Sequence, residues 1–398
     1  MITTEKLKSL ADGLLSEVIS FRRHLHAHPE LSFEEYQTSA FIEEQLKKEG
    51  IPYRTGYVKT GIVGLIKGRN PGRKVVALRA DMDALPVTEQ NDVDYRSKIE
   101  GKMHACGHDA HMATLLGVAK LLNALKDEMD GTVLLVFQPA EEKLPGGAQQ
   151  MIGEGAFSDP TPDIIIGQHV LPGMESGKVG FRAGMIMASS DEIFLTVKGK
   201  GGHAAMPHQL VDPVVIASHI IIALQQVISR FSDPFQPAVL SFGLVEAKGA
   251  VNVIPETVRI EGTLRTLDES WRTAAHDKII SIARNIAEGM GGSCEINIEK
   301  GYPALYNDPD LTKMAVEYSA QLLGKENVTE LEMRMTSEDF AFYSRQFPAV
   351  FYRFGITDHE GHFNSRLHTA TFNIDEKALY TGMINMAWLA LSFLTHKK

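Results

Sequence analysis

Residues 74–79 read KVVALR, a short apolar run that stops on a charge. A run of this kind, with no alternation, is what a strand buried on both faces requires. Residues 132–137 (TVLLVF) and 163–167 (DIIIG) have the same character. Between the first two, Met112, Leu115, Leu116, Ala119 and Leu122 recur at helical spacing, which predicts a helix over about 109–125. Strand, helix and strand in succession predict a parallel α/β sheet.

The pattern changes near Gly184. Residues 192–198 (EIFLTVK) alternate, as a half-exposed strand does. A helix is expected at about 212–231, with Asp212 as N-cap and Pro213 in the first turn. Strands follow at about 238–245 and 256–265, then a helix at 268–288 and a strand at 294–298. This β-α-β-β-α-β order is the ferredoxin-like pattern. Helix and strand signals resume at Asp308 and end in a helix over about 375–395. The expected fold is therefore α/β, a mixed, mostly parallel sheet flanked by helices, built from residues 1–184 and 299–398. A ferredoxin-like α+β domain is inserted at 185–298. No internal repeat is visible.

The totals restrict the chemistry. The 398 residues carry a net charge of −10 and no block of five like charges, which argues against a nucleic-acid or anionic-membrane partner. Only two cysteines occur, Cys106 and Cys294, too few for a disulfide framework and in keeping with a reducing cytosol. Glu5, Lys6, Lys8, Asp12 and Glu17 interrupt the first twenty residues, unlike a signal peptide. The longest apolar stretches, 214–222 and 386–394, are expected to be too short to span a bilayer. A soluble cytoplasmic protein is the expectation.

Ligands in open α/β sheets bind at strand ends. Four segments at or near such ends carry polar groups that packing does not call for: Asp81 and Asp83 after the first strand, Cys106 and His108 before the helix, Glu141 and Glu142 after the second strand, and His169 after the third. Each has an ordinary reading alone: a core cysteine, a solvated glutamate pair, a structural histidine. Together, thiolate, imidazole and carboxylate suit zinc or a neighbouring metal such as manganese or cobalt. Of two adjacent glutamates, one can bind a cation while the other serves as base.

At this point the sequence resembles a known family. The segments ALRADMDALP (77–86), GKMHACGHDAH (101–111), FQPAEE (137–142), GKGGHAAMPH (199–208), NVIP (252–255), GTLRT (262–266) and TSEDF (336–340) are similar, in order, to the aminoacylase and carboxypeptidase-type co-catalytic metallohydrolases. The nearest branch holds hippurate hydrolases, auxin-conjugate hydrolases, and N-acetylcysteine and N-acetyldiaminopimelate deacetylases. The resemblance implies hydrolysis of N-acyl amino acids, with two divalent metal ions (zinc or manganese, cobalt or nickel as further options) and a homodimer or homotetramer joined through the inserted lid. It implies Glu141 as general base and Cys106, His108, Glu142, His169 and His368 as metal ligands. It further implies Asp83 as the acid that orients the site, His203 as a donor to the oxyanion, and Asn252 and Arg265 as holders of the substrate carboxylate. Many members have His-x-Asp where this chain has Asp81-Met82-Asp83, so the residue bridging the metals stays open. A dipeptidase or carboxypeptidase on the same scaffold is the alternative.

Other features are decoys. His24 and His28 lie four apart on an expected helix but lack the glutamate of an HExxH site. His104 and His111 read as supporting or structural, and His359 and His362 as residues of a polar loop. The glycines of 199–202 approximate a dinucleotide fingerprint, yet Pro207 interrupts the helix that should follow.

Overall fold

The computed structural model describes residues 2–396. The chain divides into two units. The first takes the chain up to Gly184, then Tyr306–Glu332, then the described residues from Asp339 onward. The second is Met185–Leu305 with Met333–Glu338.

The strands of interest are, in chain order, β1 (Tyr53–Tyr57), β2 (Gly61–Lys67), β3 (Val75–Asp81), β4 (Thr132–Gln138), β5 (Ile164–Glu175), β6 (Val179–Phe181), β7 (Asp191–Lys198), β8 (Ala238–Glu246), β9 (Thr257–Thr266), β10 (Ser293–Lys300), β11 (Val328–Glu330) and β12 (Ala349–Thr357). The helices of interest are α1 (Leu15–Ala27), α2 (Tyr36–Lys48), α3 (His108–Ala124), α4 (Pro213–Phe231), α5 (Glu269–Gly289), α6 (Pro309–Leu323) and α7 (Ala378–Thr395).

The first unit is built on an eight-stranded sheet in the order β1-β2-β4-β3-β5-β12-β6-β11. The central run β4-β3-β5-β12 is parallel, and the antiparallel pairs lie outside it. Every residue of β3, β4 and β12 is buried, which explains their unbroken apolar character. Helices α3 and α7 pack in the same core, with Leu115, Leu122, Met383 and Leu389 inaccessible to solvent. The expectation of a mixed, mostly parallel α/β sheet holds.

The second unit has its own core, formed by Ile193, Leu195 and Val197 of β7 with Ile216, Ile220 and Leu224 of α4 and Ala275, Ile279 and Ala283 of α5. Its antiparallel sheet runs β8-β9-β7-β10. Taken in chain order within the unit, that is second, third, first, fourth, the ferredoxin-like arrangement. Asp212 and Asp268 cap α4 and α5 by accepting from Val214, Val215, Ser270 and Trp271 amides.

Two expectations need correction. The second unit ends at Leu305 rather than 298 and takes back Met333–Glu338. That return is fixed by backbone bonds, Ala188 N–H donating to the carbonyls of Arg334 and Thr336, and such bonds leave no periodicity in the sequence. The runs at 214–222 and 386–394 are parts of longer helices, α4 and α7, which are long and apolar enough by length and composition to cross a membrane. Polar residues beyond the runs but inside the helices (Gln225 and Gln226 in α4, Asn385 in α7) bound the apolar pattern without breaking the helix. Most of α7 is enclosed in the core of the first unit, as expected of a core helix.

Candidate metal centre

Strands β3 and β4 and helix α3 bring the polar segments of the first unit together. Helix α3 begins at His108, and Gly107 before it has φ +87°, a conformation open to glycine. A Cβ at Gly107 would stand 2.6 Å from Val170 Cγ2. The tight approach sets Cys106 and His108 on either side of the turn. Ala140 is also left-handed, at φ +54°, and leads directly into Glu141 and Glu142. His169 lies within β5, which continues to Glu175, rather than beyond a strand end. His368 has φ +63°, and its amide donates to the carbonyl of Ala105.

Ligand-type atoms of Cys106, His108 and His169 lie within 4.8 Å of one another, as do those of Cys106, Glu142 and His368, and those of His108, Glu141 and Glu142. Cys106 Sγ is 3.4 Å from His169 Nε2, and Glu142 Oε1 is 3.4 Å from His368 Nε2 and 3.9 Å from His108 Nε2. The sequence-expected ligands therefore share one cluster.

Hydrogen bonds decide which imidazoles have a lone pair to offer. A carbonyl only accepts, so His108 Nδ1, 2.8 Å from the Asp83 carbonyl, carries a proton. The same holds for His169 Nδ1, 2.9 Å from the carbonyl of Val170. In each neutral ring the Nε2 lone pair then faces the cluster. His108 Nε2 and Glu142 Oε1 are buried without a hydrogen-bond partner, which is costly unless a cation is bound there. His111 differs. An amide N–H only donates, so the Val170 amide at 2.9 Å occupies its Nε2 lone pair, and its Nδ1–H donates to Asp81 Oδ1 at 2.6 Å. It has no lone pair left and is structural.

Asp83 supports the cluster from behind. Its Oδ1 accepts from the Glu141 amide at 3.0 Å, and its Oδ2 accepts from the Glu142 amide at 2.9 Å and from Ser32 Oγ at 2.6 Å. Burial works to raise its pKa, but the contacts with His108, Ser32 and the backbone hold it below the usual range. Asp81 is taken up by Arg79 Nη1 at 2.6 Å and by His111. Burial opposes the charge on His108, yet Asp81, Asp83 and Glu142 together push its pKa up to about 10. The carboxylates thus demand a positive charge at this ring, as a proton or as a metal. Burial, with Glu142 and Glu141 adding to it, pushes the Cys106 thiol well up. Burial beside the Arg353 cation pulls His169 well down, which favours the neutral ligand form.

Sequence reasoning gave no role to several neighbours. Arg79 Nη2 donates to Asp339 Oδ1 at 2.8 Å, Gln138 Nε2 donates to both Asp339 oxygens, and the Asp339 amide donates to Glu141 Oε1 at 3.3 Å. The RADMD and TSEDF motifs were the available signal, but not the pairing between them. Glu35 is fully buried, and burial together with Asp83 pushes it up to about 7.

The remaining expected residues lie in the second unit. Gly202 and His203 pair with Val253 and Ile254 in a two-stranded ribbon, and the carbonyl of Asn252 accepts from the Ala204 amide. His203 Nδ1 accepts from the Ala205 amide at 3.1 Å, so Nε2 holds the proton of the neutral ring. Arg265 donates through Nε to Thr263 Oγ1 and through Nη1 to Ser337 Oγ. Four of the decoy histidines are otherwise engaged. His24 stacks on Phe41, His28 Nδ1 donates to the His24 carbonyl, His359 pairs with Glu175, and His362 pairs with Asp358. His104 is buried, and burial lowers its pKa to about 4.

The model of peptidase family M20/M25/M40 matches residues 77–391. The chain is 44% identical over 306 residues to an N-acyl-L-amino acid amidohydrolase of Geobacillus stearothermophilus, covering 77% of this chain and 82% of that protein. It is 40% identical over 367 residues to an N-acetyl-L-cysteine deacetylase of Bacillus subtilis, covering 92% and 85%. A thermostable carboxypeptidase 2 of Saccharolobus solfataricus is 38% identical over 396 residues, covering 99% of both. The crystal structure of the Bacillus subtilis YXEP protein, described as a dinuclear metal binding peptidase, superposes with a TM-score of 0.82 at 35% identity, covering 96% and 99%. With that match over most of its length, and a buried cluster of metal-ligand side chains at its sheet, the chain belongs to the M20/M25/M40 family of metal-dependent hydrolases.

Proposed function

We propose that this protein hydrolyses the amide bond of small N-acyl amino acids, releasing a carboxylate and a free amino acid. The observation that carries the reading is a cluster of ligand-type atoms with a second acid beside it: two imidazole Nε2 atoms, a thiol and Glu142 face one another, and Glu141 stands beside them. The donor set fits two divalent cations, zinc or manganese, or cobalt or nickel, held by Cys106, His108, Glu142, His169 and His368. When bound, such ions polarise the acyl oxygen and acidify a water.

The chain's own groups do the rest. Glu141 takes the proton of the attacking water and passes it to the leaving amine nitrogen. Its Oε1 is steadied by the Asp339 amide, and Asp83 fixes the backbone on which it stands. From the second unit, His203 donates Nε2–H to the tetrahedral oxyanion. Asn252 and Arg265 hold the substrate carboxylate, for which a guanidinium is well shaped.

The second unit serves as lid and as the dimer or tetramer contact in this reading. Exposed Val214, Val215 and Ile222 on α4, and Val239, Leu244 and Val245 on β8, support it. Two free cysteines are in keeping with the cytoplasm. The similarity to a carboxypeptidase at 38% identity keeps peptide cleavage as the second reading, and comparing an acetyl amino acid with the matching dipeptide separates the two.

The test is chelation and metal readdition across a panel of N-acyl amino acids, with Glu141→Gln as control. The variant should lose about 10²–10⁴-fold in kcat while binding metal normally. Full activity in Glu141→Gln would sink the mechanism.

A further inference from the structure

Three consecutive backbone amides enter the catalytic loop, and each donates to a buried carboxylate. Those of Glu141 and Glu142 donate to Asp83. That of Ala140 donates to Glu35 Oε1 at 2.9 Å. Glu35 comes from the segment just before α2, and its Oε1 also accepts from the Phe33 amide at 3.0 Å, while its Oε2 accepts from Thr60 Oγ1 at 2.9 Å. Ser32 in the same segment donates to Asp83. Segment 32–35 therefore touches both carboxylates that hold the loop.

Ala140 is where this matters. Alanine at φ +54° is disfavoured by roughly 1–2 kcal/mol relative to the right-handed region. Such a conformation persists only where its surroundings over-determine it. On one side the Ala140 carbonyl accepts from the Gly147 amide at 2.9 Å. On the other its N–H has Glu35. Without that acceptor, a buried amide lacks a partner and a strained residue loses the restraint on its N-terminal side, keeping only those on the peptide that follows it, Gly147 on its carbonyl and Asp83 on the Glu141 amide. The next residue is Glu141.

We infer that Glu35 is a positioning residue for Glu141, holding Ala140 left-handed so that the base projects toward the reacting water. The inference rests on the proposed function of Glu141. Relaxation of the Ala140 peptide swings the chain that carries the base, and a displacement of about 1 Å is worth on the order of 10²-fold in rate. Cation binding should be spared, because the Glu142 amide keeps its own anchor on Asp83.

The experiment measures kcat, KM and bound metal on the best N-acyl amino acid of the panel. Glu35→Ala should lower kcat by about 10²-fold, with KM and metal content unchanged. Glu35→Gln keeps an acceptor for Ala140, and the Thr60 hydroxyl can turn to accept from the new amide, so activity should be largely kept. Glycine adopts positive φ without penalty, so Ala140→Gly placed in the Glu35→Ala background should recover roughly tenfold. A purely structural Glu35 gives a different result: stability falls, and Ala140→Gly restores nothing. That outcome, or an unchanged kcat in Glu35→Ala, overturns the inference. If Glu35→Ala does not fold, Glu35→Asp withdraws the acceptor while leaving a smaller void, and the same comparison is run in it. A crystal structure of the variant gives a reading free of substrate: Ala140 should leave the left-handed region, and an unmoved loop refutes the inference. An inactive wild type across the panel refutes the functional reading instead.

Discussion

Replacing Asp83 by asparagine keeps the shape of the side chain and changes one acceptor into a donor. Oδ2 receives two donors, the Glu142 amide and Ser32 Oγ, while Oδ1 receives the Glu141 amide and lies 3.3 Å from His108 Nδ1, whose proton points to the Asp83 carbonyl at 2.8 Å. The asparagine oxygen should therefore stay at the Oδ2 position, leaving its NH₂ facing the Glu141 amide, donor against donor. A hydrogen bond to a charged acceptor is worth about 1.5–3 kcal/mol. The two surviving bonds become neutral and roughly half as strong, a further loss of about 1 kcal/mol each. The sum is roughly 3–5 kcal/mol, and the released amide is that of the base itself. Denaturant unfolding of the metal-free protein reads the stability change. Steady-state kinetics of the metal-loaded enzyme should show kcat lower by about 10²-fold. An Asp83→Asn enzyme of wild-type stability and rate would refute the account of Asp83 as the anchor of the loop.

Adding zinc to metal-free protein at pH 8 in weak buffer should release about two protons, one from His108, held protonated up to about 10, and one from the Cys106 thiol. Metal affinity should therefore weaken as pH falls, which titration calorimetry in two buffers can check. Gly107→Ala places a methyl group 2.6 Å from Val170 Cγ2 at φ +87°. A loss of more than 1 kcal/mol, about the ordinary penalty for this region, should accompany poor metal retention, measured by elemental analysis after dialysis. Arg22 is buried, with Nε 2.8 Å from Asp109 Oδ2, and despite burial its cation helps hold Asp109 far below the usual carboxylate range. A depressed carboxylate contributes stability above its unfolded pKa of about 3.9 and loses it as pH falls. Arg22→Met should thus cost about 3–5 kcal/mol at pH 7, nearly as much at pH 5, and less only as pH falls well below about 3.9, as unfolding curves at pH 7, 5 and 3 would show.

What the sequence made legible was whatever a residue type settles by itself. Unbroken apolar runs marked β3, β4 and β5 because strands buried on both faces cannot alternate. Cys106, His108, Glu142 and His169 stood out because lone-pair donors beside buried strands need a cation. His111, three residues from His108, could not be sorted from it in this way. Its exclusion depends on the Val170 amide reaching its Nε2, a contact across 59 residues. Glu35 and Asp339 were hidden for the same reason. They reach Ala140 and Glu141 across 105 and 198 residues, and no local pattern records such a meeting. His368 was reached by family resemblance alone, since its loop has no periodicity.

Among the described residues, the last strand in chain order is a central one. β12 pairs with β5 in parallel from Ala349 against Ile165 to Gly355 against Leu171, and α7, which follows it, fills the core. From Glu175 at the end of β5 to Ala349 the ribosome must add 174 residues, which takes roughly 10–35 s at typical elongation rates. Through that interval β5 has an open, apolar edge, the kind of surface on which nascent chains aggregate. The second unit, with a separate core, can fold while the first waits. Expression yield should therefore depend on elongation speed across that interval and on chaperones that bind extended apolar segments. A chain cut before β12 should accumulate as aggregate although it already carries Cys106, His108, Glu142 and His169.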